Sequence, residues 1–402
     1  MHVRINIPAW GCREYAYSLL SVLPFKTRTY TERLTKKVRK EADGRYVYLL
    51  SSGRFCIVSA IQQLGLTHPR VAVPAYVCPS VIQAIRQSQA EPVLIDVEAG
   101  SIQFDADRLK QNISDSLIDA IVAPNTYGLS QDYACLSTLN VPWIEDAAYQ
   151  AGVIDDVSKR VCGLRGTAGV WSFNFKALTS VGGGVLLSRE KINALETLKH
   201  PCIGPAITGR FVNYLFRSIF RTHIPVFFPG AELPQPYDLK TIRRAFMQVS
   251  AGLMSELQAA IALTQWQKRE AIYAAQRRNS QIVLSAVNQS PILRLLKGQE
   301  TTVMAHLFPV LLDVPKPYLA DAVLRFRRIL YEHSIQTETP YPVACESFTA
   351  VPNAYKLASR LILVPCNASL NEKQMKHIAR TIEIASQAIS RMTEHRKDNN
   401  EE

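Results

Sequence analysis

Two side chains organise the sequence. Asp146 closes the apolar run "VPWIED", and Lys176 follows it by 30 residues in "VWSFNFKALTSVGGGVLL". Thirty residues suffice for one crossover and a second strand back to the same sheet edge, so the acid and the amine can converge. In an apolar cleft such a pair is either a plain salt bridge or the two ends of a cofactor grip. Pyridoxal phosphate fits the second case. Its aldehyde condenses with a lysine, and its ring nitrogen needs an acid partner to stay protonated and draw electrons. That charge-assisted bond contributes ~1.5–3 kcal/mol. The attacking amine must be free of its proton, so its pKa is expected to fall well below the usual ~10.4. Desolvation by Phe173 and Phe175 is the expected cause. Gly182, Gly183 and Gly184 then allow tight backbone turns beside the ring. The phosphate needs its own cradle. In "YLLSSGRFCIV", Ser51, Ser52 and Gly53 lie at a strand-to-helix turn, where free N–H groups favour an anion, and Arg54 adds a charge.

These residues require strands that end at one edge. "RYVYLL", "RVAVPAY", "EPVLIDV", "LIDAIVAPN", "VPWIED", "AGVWSF" and "GGGVLLS" read as strands, and "RFCIVSAIQQLGL", "PSVIQAIRQSQ", "FDADRLKQNI" and "QDYACLSTL" as helices between them. Such βα alternation with nearly continuous apolar strands predicts an α/β fold, a mostly parallel sheet covered by helices on both faces. The expected divisions are an N-terminal segment 1–45, a large domain 46–200, a basic aromatic insertion 201–250, one long helix 251–285, a small C-terminal α+β domain 286–390 and a disordered tail 391–402. The chain has 402 residues, 47% apolar and 20% charged, ordinary for a globular protein. Its net charge of +12 favours anionic partners. The positive charge is diffuse and no nucleic-acid reader motif appears, so nucleic acid is not an expected partner. Eight scattered cysteines without a CxxC pair read as reduced, mostly buried thiols, and no metal spacing is present. The first residues lack a signal-peptide core and no apolar run reaches ~18 residues, so a cytoplasmic protein is expected.

Read in order, "SSGR", "VAVPAYVCPSVIQAI…EPVLIDV", "IVAPNTYG", "IEDAAYQAG", "SFNFKALTSVGGG", "MSELQAAIALTQW" and "LILVPCNASLNEKQM" resemble the DegT-type (DegT/DnrJ/EryC1/StrS) sugar aminotransferases over roughly residues 45–390. The resemblance implies a fold type I pyridoxal-phosphate transferase. Lys176 then forms the imine and shuttles a proton, and Asp146 partners the pyridine nitrogen. Ser172 and the Ser52–Gly53–Arg54 turn hold the phosphate, and the segment with Tyr76 and Cys78 lies against the ring. Tyr149 stands where the family has glutamine. Glutamate as amino donor, a nucleotide-linked keto sugar as acceptor, and a homodimer with sites at its interface are likewise implied. The sequence departs from the pattern at Cys78, usually aromatic, and at Tyr149. It departs also at Ala251 and Leu253, where the family's neighbouring subunit supplies Asn and Arg.

Blander readings stand beside these. Lys176 alone reads as a structural lysine, Asp146 as a helix cap, the SSGR turn as ordinary punctuation, Ser172 as a tolerated strand serine, and Tyr76 and Tyr149 as core tyrosines. The segment 205–229 carries Arg210, Arg217 and Arg221 among aromatics. It reads as a packed helix with solvated arginines, a lid or dimer arm, or a peripheral membrane contact. Two other functions remain open at this stage: a pyridoxal-phosphate enzyme acting on another amine acceptor, and a non-catalytic binding protein of the same fold.

Overall fold

The computed structural model describes residues 3, 8–21, 29–155, 158–198, 205–219, 251–299, 306–345 and 347–398. Two helices, α1 (Cys12–Ser21) and α2 (Thr29–Arg39), precede the sheet. Its strands are β1 (Tyr46–Leu50), β2 (Arg70–Pro74), β3 (Glu91–Ile95), β4 (Ala120–Pro124), β5 (Trp143–Asp146), β6 (Ala168–Ser172) and β7 (Gly184–Ser188). The spatial order is β1-β7-β6-β5-β4-β2-β3. The pairs β2–β3, β2–β4, β4–β5 and β5–β6 are parallel, and β7 runs antiparallel to both β1 and β6. Helices α3 (Gly53–Gln62), α4 (Pro79–Gln87), α5 (Ala106–Ser114) and α6 (Tyr133–Ser137) each follow one of the first four strands. All seven strands expected from the sequence form.

The sheet is apolar on both faces because helices cover both. One layer packs Phe55, Ile57, Val71, Val73, Val122, Ile144 and Leu186 together. The other gathers Leu34, Val38, Trp171, Phe173, Val185, Leu187 and Trp266. Full burial on two sides is what removes the in–out alternation from these strands. Beyond α7 (Asn193–Glu196) and α8 (Pro205–Ile219) come α9 (Glu256–Gln267) and α10 (Arg269–Asn288). Helix α9 starts at a capping box, with Ser255 and Gln258 satisfying each other's backbone N–H. The expected single helix over 251–285 is thus two. The chain breaks at Lys268, whose φ of −108° and ψ of 15° are not helical, and whose amine is drawn to the Ala9 carbonyl at 2.7 Å and to Glu14. Helix α1 holds this corner, since Gln265 also donates to Glu14.

A second unit contains the sheet β10-β9-β8, with β8 (Leu293–Arg294), β9 (Leu307–Leu312) and β10 (Leu361–Pro365) antiparallel. Helices α11 (Leu319–Glu332), α12 (Pro352–Arg360) and α13 (Glu372–Asp398) surround it. Its core joins Val283, Phe308, Val310, Phe326, Leu330, Ile362, Ile378 and Ile382. This matches the small α+β unit expected from the sequence. The last helix continues to Asp398, past the boundary drawn at 390 for a disordered tail. Among the described residues no helix is long and apolar enough to cross a membrane. The half of the 205–229 segment beyond residue 219, with Arg221, lies outside the described residues.

Candidate active site

The sheet topology puts the chemistry on one line. In a sheet of parallel strands, the carboxyl ends share an edge and the loops leaving them meet there. Here that edge carries, in spatial order, the β1–α3 turn, the glycine start of antiparallel β7, Ser172 at the end of β6, Asp146 at the end of β5 and the loop after β4. The Tyr76–Cys78 segment after β2 completes it. Ser172 pairs with Gly184, and Asp146 with Val170 and Pro124.

At the first end, Ser52 caps α3 and accepts the Phe55 N–H at 3.2 Å. Gly53 faces Ser172 so closely that a Cβ would lie 3.0 Å from Ser172 Cβ and 3.2 Å from its Oγ. A Cβ on Gly184 would meet the Gly53 nitrogen at 2.6 Å, so glycine there is a packing requirement. Arg54 donates to Gln83 of α4 at 3.1 Å. Burial, then the nearby charge of Arg210, lowers its pKa.

At the other end, Asp146 is 7% exposed and accepts one hydrogen bond, from the Ala148 N–H at 3.2 Å. Burial pushes its pKa up to about 6, against the pull of Lys176. Behind it, buried Glu145 is ion-paired to Arg165 at 2.8 Å and accepts from Tyr133 at 3.0 Å.

Lys176 follows Ser172 by four residues and has Asp146, Tyr149 and Cys78 as neighbours. The backbone inverts at Phe175, where φ is +52°. Phe173 consequently enters the main core and Phe175 packs toward Val181, Leu257 and Ile261. The two rings thus pack against different clusters, and burial of the amine does not by itself set its charge state. The ring at Lys176 is Tyr149, whose centroid is 3.5 Å from Nζ. On the ring, His306 also stacks, 5.3 Å between centroids. Burial pulls the lysine pKa down, but Tyr149, Cys78 and Asp146 together outweigh it, and the net shift is upward. The expected depression of the amine therefore does not occur in the chain by itself. His306 is held neutral, its pKa driven to about 3 by burial and by Lys176.

Tyr149 belongs to a group of four tyrosines. Its hydroxyl meets that of Tyr341 at 2.7 Å, and Tyr76 meets Tyr127 at 2.8 Å. Tyr127 and Tyr341 stack 5.6 Å apart. Tyr76 is fully buried within this group, and Cys78 bonds Ser80 at 3.0 Å. The structure thus gathers Lys176, Asp146, Tyr149, Cys78, Ser172, Gly53 and Arg54 along one edge. Sequence reasoning missed Tyr127, Tyr341 and His306. Tyr127 lay in the quoted "IVAPNTYG" and Tyr341 in "PYP", but no periodicity or spacing ties them to the lysine.

Comparison with known proteins agrees with this geometry. The model of the DegT/DnrJ/EryC1/StrS aminotransferase family matches residues 20–217 and 236–383. A dTDP-4-amino-4,6-dideoxy-D-glucose transaminase of Shigella dysenteriae is 21% identical over 370 residues, covering 87% of this chain and 89% of that one. An L-glutamine:2-deoxy-scyllo-inosose aminotransferase of Streptomyces lividus is 22% identical, covering 74% and 68%. Among solved structures, the sugar aminotransferase Spr1654 of Streptococcus pneumoniae in its PMP form superposes with a TM-score of 0.74 at 16% identity. It covers 98% of this chain and all of that one. The fold is that of the fold type I aminotransferases.

Proposed function

This chain belongs to the DegT/DnrJ/EryC1/StrS aminotransferase family, and from that premise we propose that it moves an amino group, from glutamate, to a keto sugar on a nucleotide carrier. The product would serve polysaccharide or glycoconjugate synthesis. The enzyme is a pyridoxal-phosphate-dependent aminotransferase, as its family implies. The residues present fit that cofactor. Asp146 is a buried carboxylate with one hydrogen bond, of 3.2 Å, among the described residues. Asn174 Oδ1 and His306 Nδ1, near the lysine in sequence and in space, are buried without a hydrogen-bond partner among the described residues. Any Cβ at Gly53 would press on Ser172. When bound, pyridoxal phosphate supplies an aldehyde for amine capture and a protonated ring that withdraws electrons.

The chain's own residues supply the rest. Ser52, Gly53, Arg54 and Ser172 hold the phosphate at the start of α3, where free N–H groups face the anion. Asp146 holds a proton on the ring nitrogen. Lys176 Nζ anchors the cofactor and then accepts and returns the proton that leaves the donor carbon. Tyr149, tied to Tyr341, is placed to exchange that proton with Nζ. Cys78, partly exposed before α4, walls the cleft on that side, with fully buried Tyr76 behind it. The acceptor reading draws on the name of the Shigella relative, a transaminase of a dTDP-linked sugar. The net charge of +12 suits a substrate with two phosphates.

The observation that carries the proposal is the convergence of Asp146 and Lys176 at one sheet edge. The purified protein with added cofactor should show a visible imine band that Lys176→Ala abolishes. Glutamate should then bleach the band and release 2-oxoglutarate, and a nucleotide-linked keto sugar should restore it. A wild-type protein with no band, or one that glutamate leaves unchanged, refutes the reading.

A further inference from the structure

Helix α8 belongs to the stretch that interrupts the βα rhythm, and the chemistry above uses none of it. Its middle is nevertheless fixed beside the phosphate turn. Ile207 and Phe211 pack toward Val181, Leu257 and Ile261. The Phe211 ring lies 6.2 Å from that of Trp10, whose indole N–H donates to the Thr179 carbonyl at 2.7 Å. Arg210 comes immediately before Phe211 and reaches over the first glycine of the triplet. A Cβ added at Gly182 would lie 2.8 Å from Arg210 Nη1 and 3.0 Å from Gln258 Nε2. Gly182 itself has φ +104°, a conformation that a side chain would strain.

That position is one residue from the cradle. The Gly183 N–H donates to the Ser51 carbonyl at 3.0 Å, and Gln258 Nε2 reaches the same oxygen at 3.3 Å. Gly183 also forms a bridge with Ser52. A guanidinium over Gly182 is therefore a guanidinium beside Ser51–Gly53, and the second one, Arg54, leaves that same turn. The two arginines are close enough for Arg210 to help lower the pKa of Arg54. Among the described residues no ion pair joins Arg210 to a carboxylate. Two like charges brought to one partly buried turn repel unless an anion lies with them.

We propose that Arg210, carried to the site by α8 of the same chain, is a cofactor-binding residue that joins Arg54 in holding the phosphate ester of pyridoxal phosphate. The proposal rests on the cofactor reading given above and adds a ligand to it. It also gives the α8 insertion a task, that of closing the phosphate end of the cleft through the Trp10–Phe211 and Ile207 contacts.

The test compares pyridoxal phosphate with pyridoxal, which has the aldehyde and ring but no phosphate. Cofactor-free wild type, Arg210→Gln and Arg210→Lys are titrated with each compound at low and high salt, reading the imine band and the quenching of tryptophan fluorescence. The Gln variant should bind pyridoxal phosphate about ten-fold or more weakly, the order expected for one charge-assisted hydrogen bond. Its pyridoxal affinity should match wild type, its salt dependence should be flatter, and the Lys variant should recover much of the loss. Equal binding of pyridoxal phosphate by wild type and Arg210→Gln overturns the proposal. So does an equal loss for both compounds, which would make the arginine a fold element of α8. A variant that binds pyridoxal phosphate normally but loses uridine diphosphate also overturns it, because the arginine would then serve the substrate's phosphates. A wild type that binds neither aldehyde refutes the underlying cofactor reading as well, so the two failures are distinct.

Discussion

Replacing Asp146 by asparagine removes a charge and keeps the shape of the side chain, including an acceptor for the Ala148 N–H. The folded carboxyl has a pKa of about 6, against 3.8 ordinarily, because it is buried. Between these values the unfolded chain has already released its proton while the folded chain still holds it. Stability of the cofactor-free protein therefore falls as pH rises from about 3.8 to about 6 and stays level above. At 1.36 kcal/mol per pH unit the full penalty at neutral pH is ~3 kcal/mol. Asparagine escapes it, although Lys176 loses a neighbour that supports its charge. The variant should be ~1–3 kcal/mol more stable than wild type at pH 7.5 without cofactor and nearly equal at pH 4. With pyridoxal phosphate the sign reverses. The charge-assisted bond to the ring nitrogen is lost, ~1.5–3 kcal/mol or about 10- to 100-fold in affinity. Urea unfolding followed by fluorescence from pH 4 to 8, with and without cofactor, measures both arms. An asparagine variant that is less stable than wild type at pH 7.5 without cofactor, or that follows the same pH curve, refutes the argument that this carboxylate is kept for a ligand at the expense of the fold.

Two further substitutions test the surroundings of the pair. Tyr149→Phe keeps the ring against Lys176 and removes the hydroxyl bonded to Tyr341; Tyr149 heads the influences that hold the lysine proton, so the variant amine should titrate lower. The rate of imine formation with pyridoxal, plotted against pH, should level off at a lower pH than in wild type, and an unchanged profile would remove Tyr149 from the proton path. Arg165→Met strands the fully buried Glu145 beside Asp146 and should cost ~3–5 kcal/mol in urea unfolding; adding Glu145→Gln should recover a large part of that loss.

The elements of the large domain were legible because a strand buried on both faces leaves a continuous apolar run, and a helix between two such runs has nowhere to go but over a face. The edge residues were legible for the same reason: "IED" and "WSF" end apolar runs, so Asp146 and Ser172 had to stand at strand ends. The break at Lys268 was not. Apolar spacing runs through it without interruption, and what stops the helix is Glu14 and the Ala9 carbonyl, more than 250 positions away. Arg210 was visible only as one of several basic residues on an amphipathic stretch. Its place over Gly182 depends on Trp10 and Phe211 meeting, a contact between segments that no local pattern relates.

The lysine shows how far composition misleads about charge. Two phenylalanines on either side of Asn174 look like a dry setting for Lys176, and dryness would discharge it. Yet residues that alternate in sequence diverge in space once the backbone inverts at Phe175, and the rings go to two different cores. What remains around Nζ comes from β2, β5 and the second unit: Cys78, Asp146, Tyr149 and, behind it, Tyr341. Tyr149, Cys78 and Asp146 stabilise the ammonium form, and together they exceed the effect of burial. The amine is thus charged in the chain alone, held among groups that can take its proton at short range. The lysine's pKa is not lowered in the chain alone, and its neighbours Tyr149, Cys78 and Asp146 are the groups whose removal should lower it.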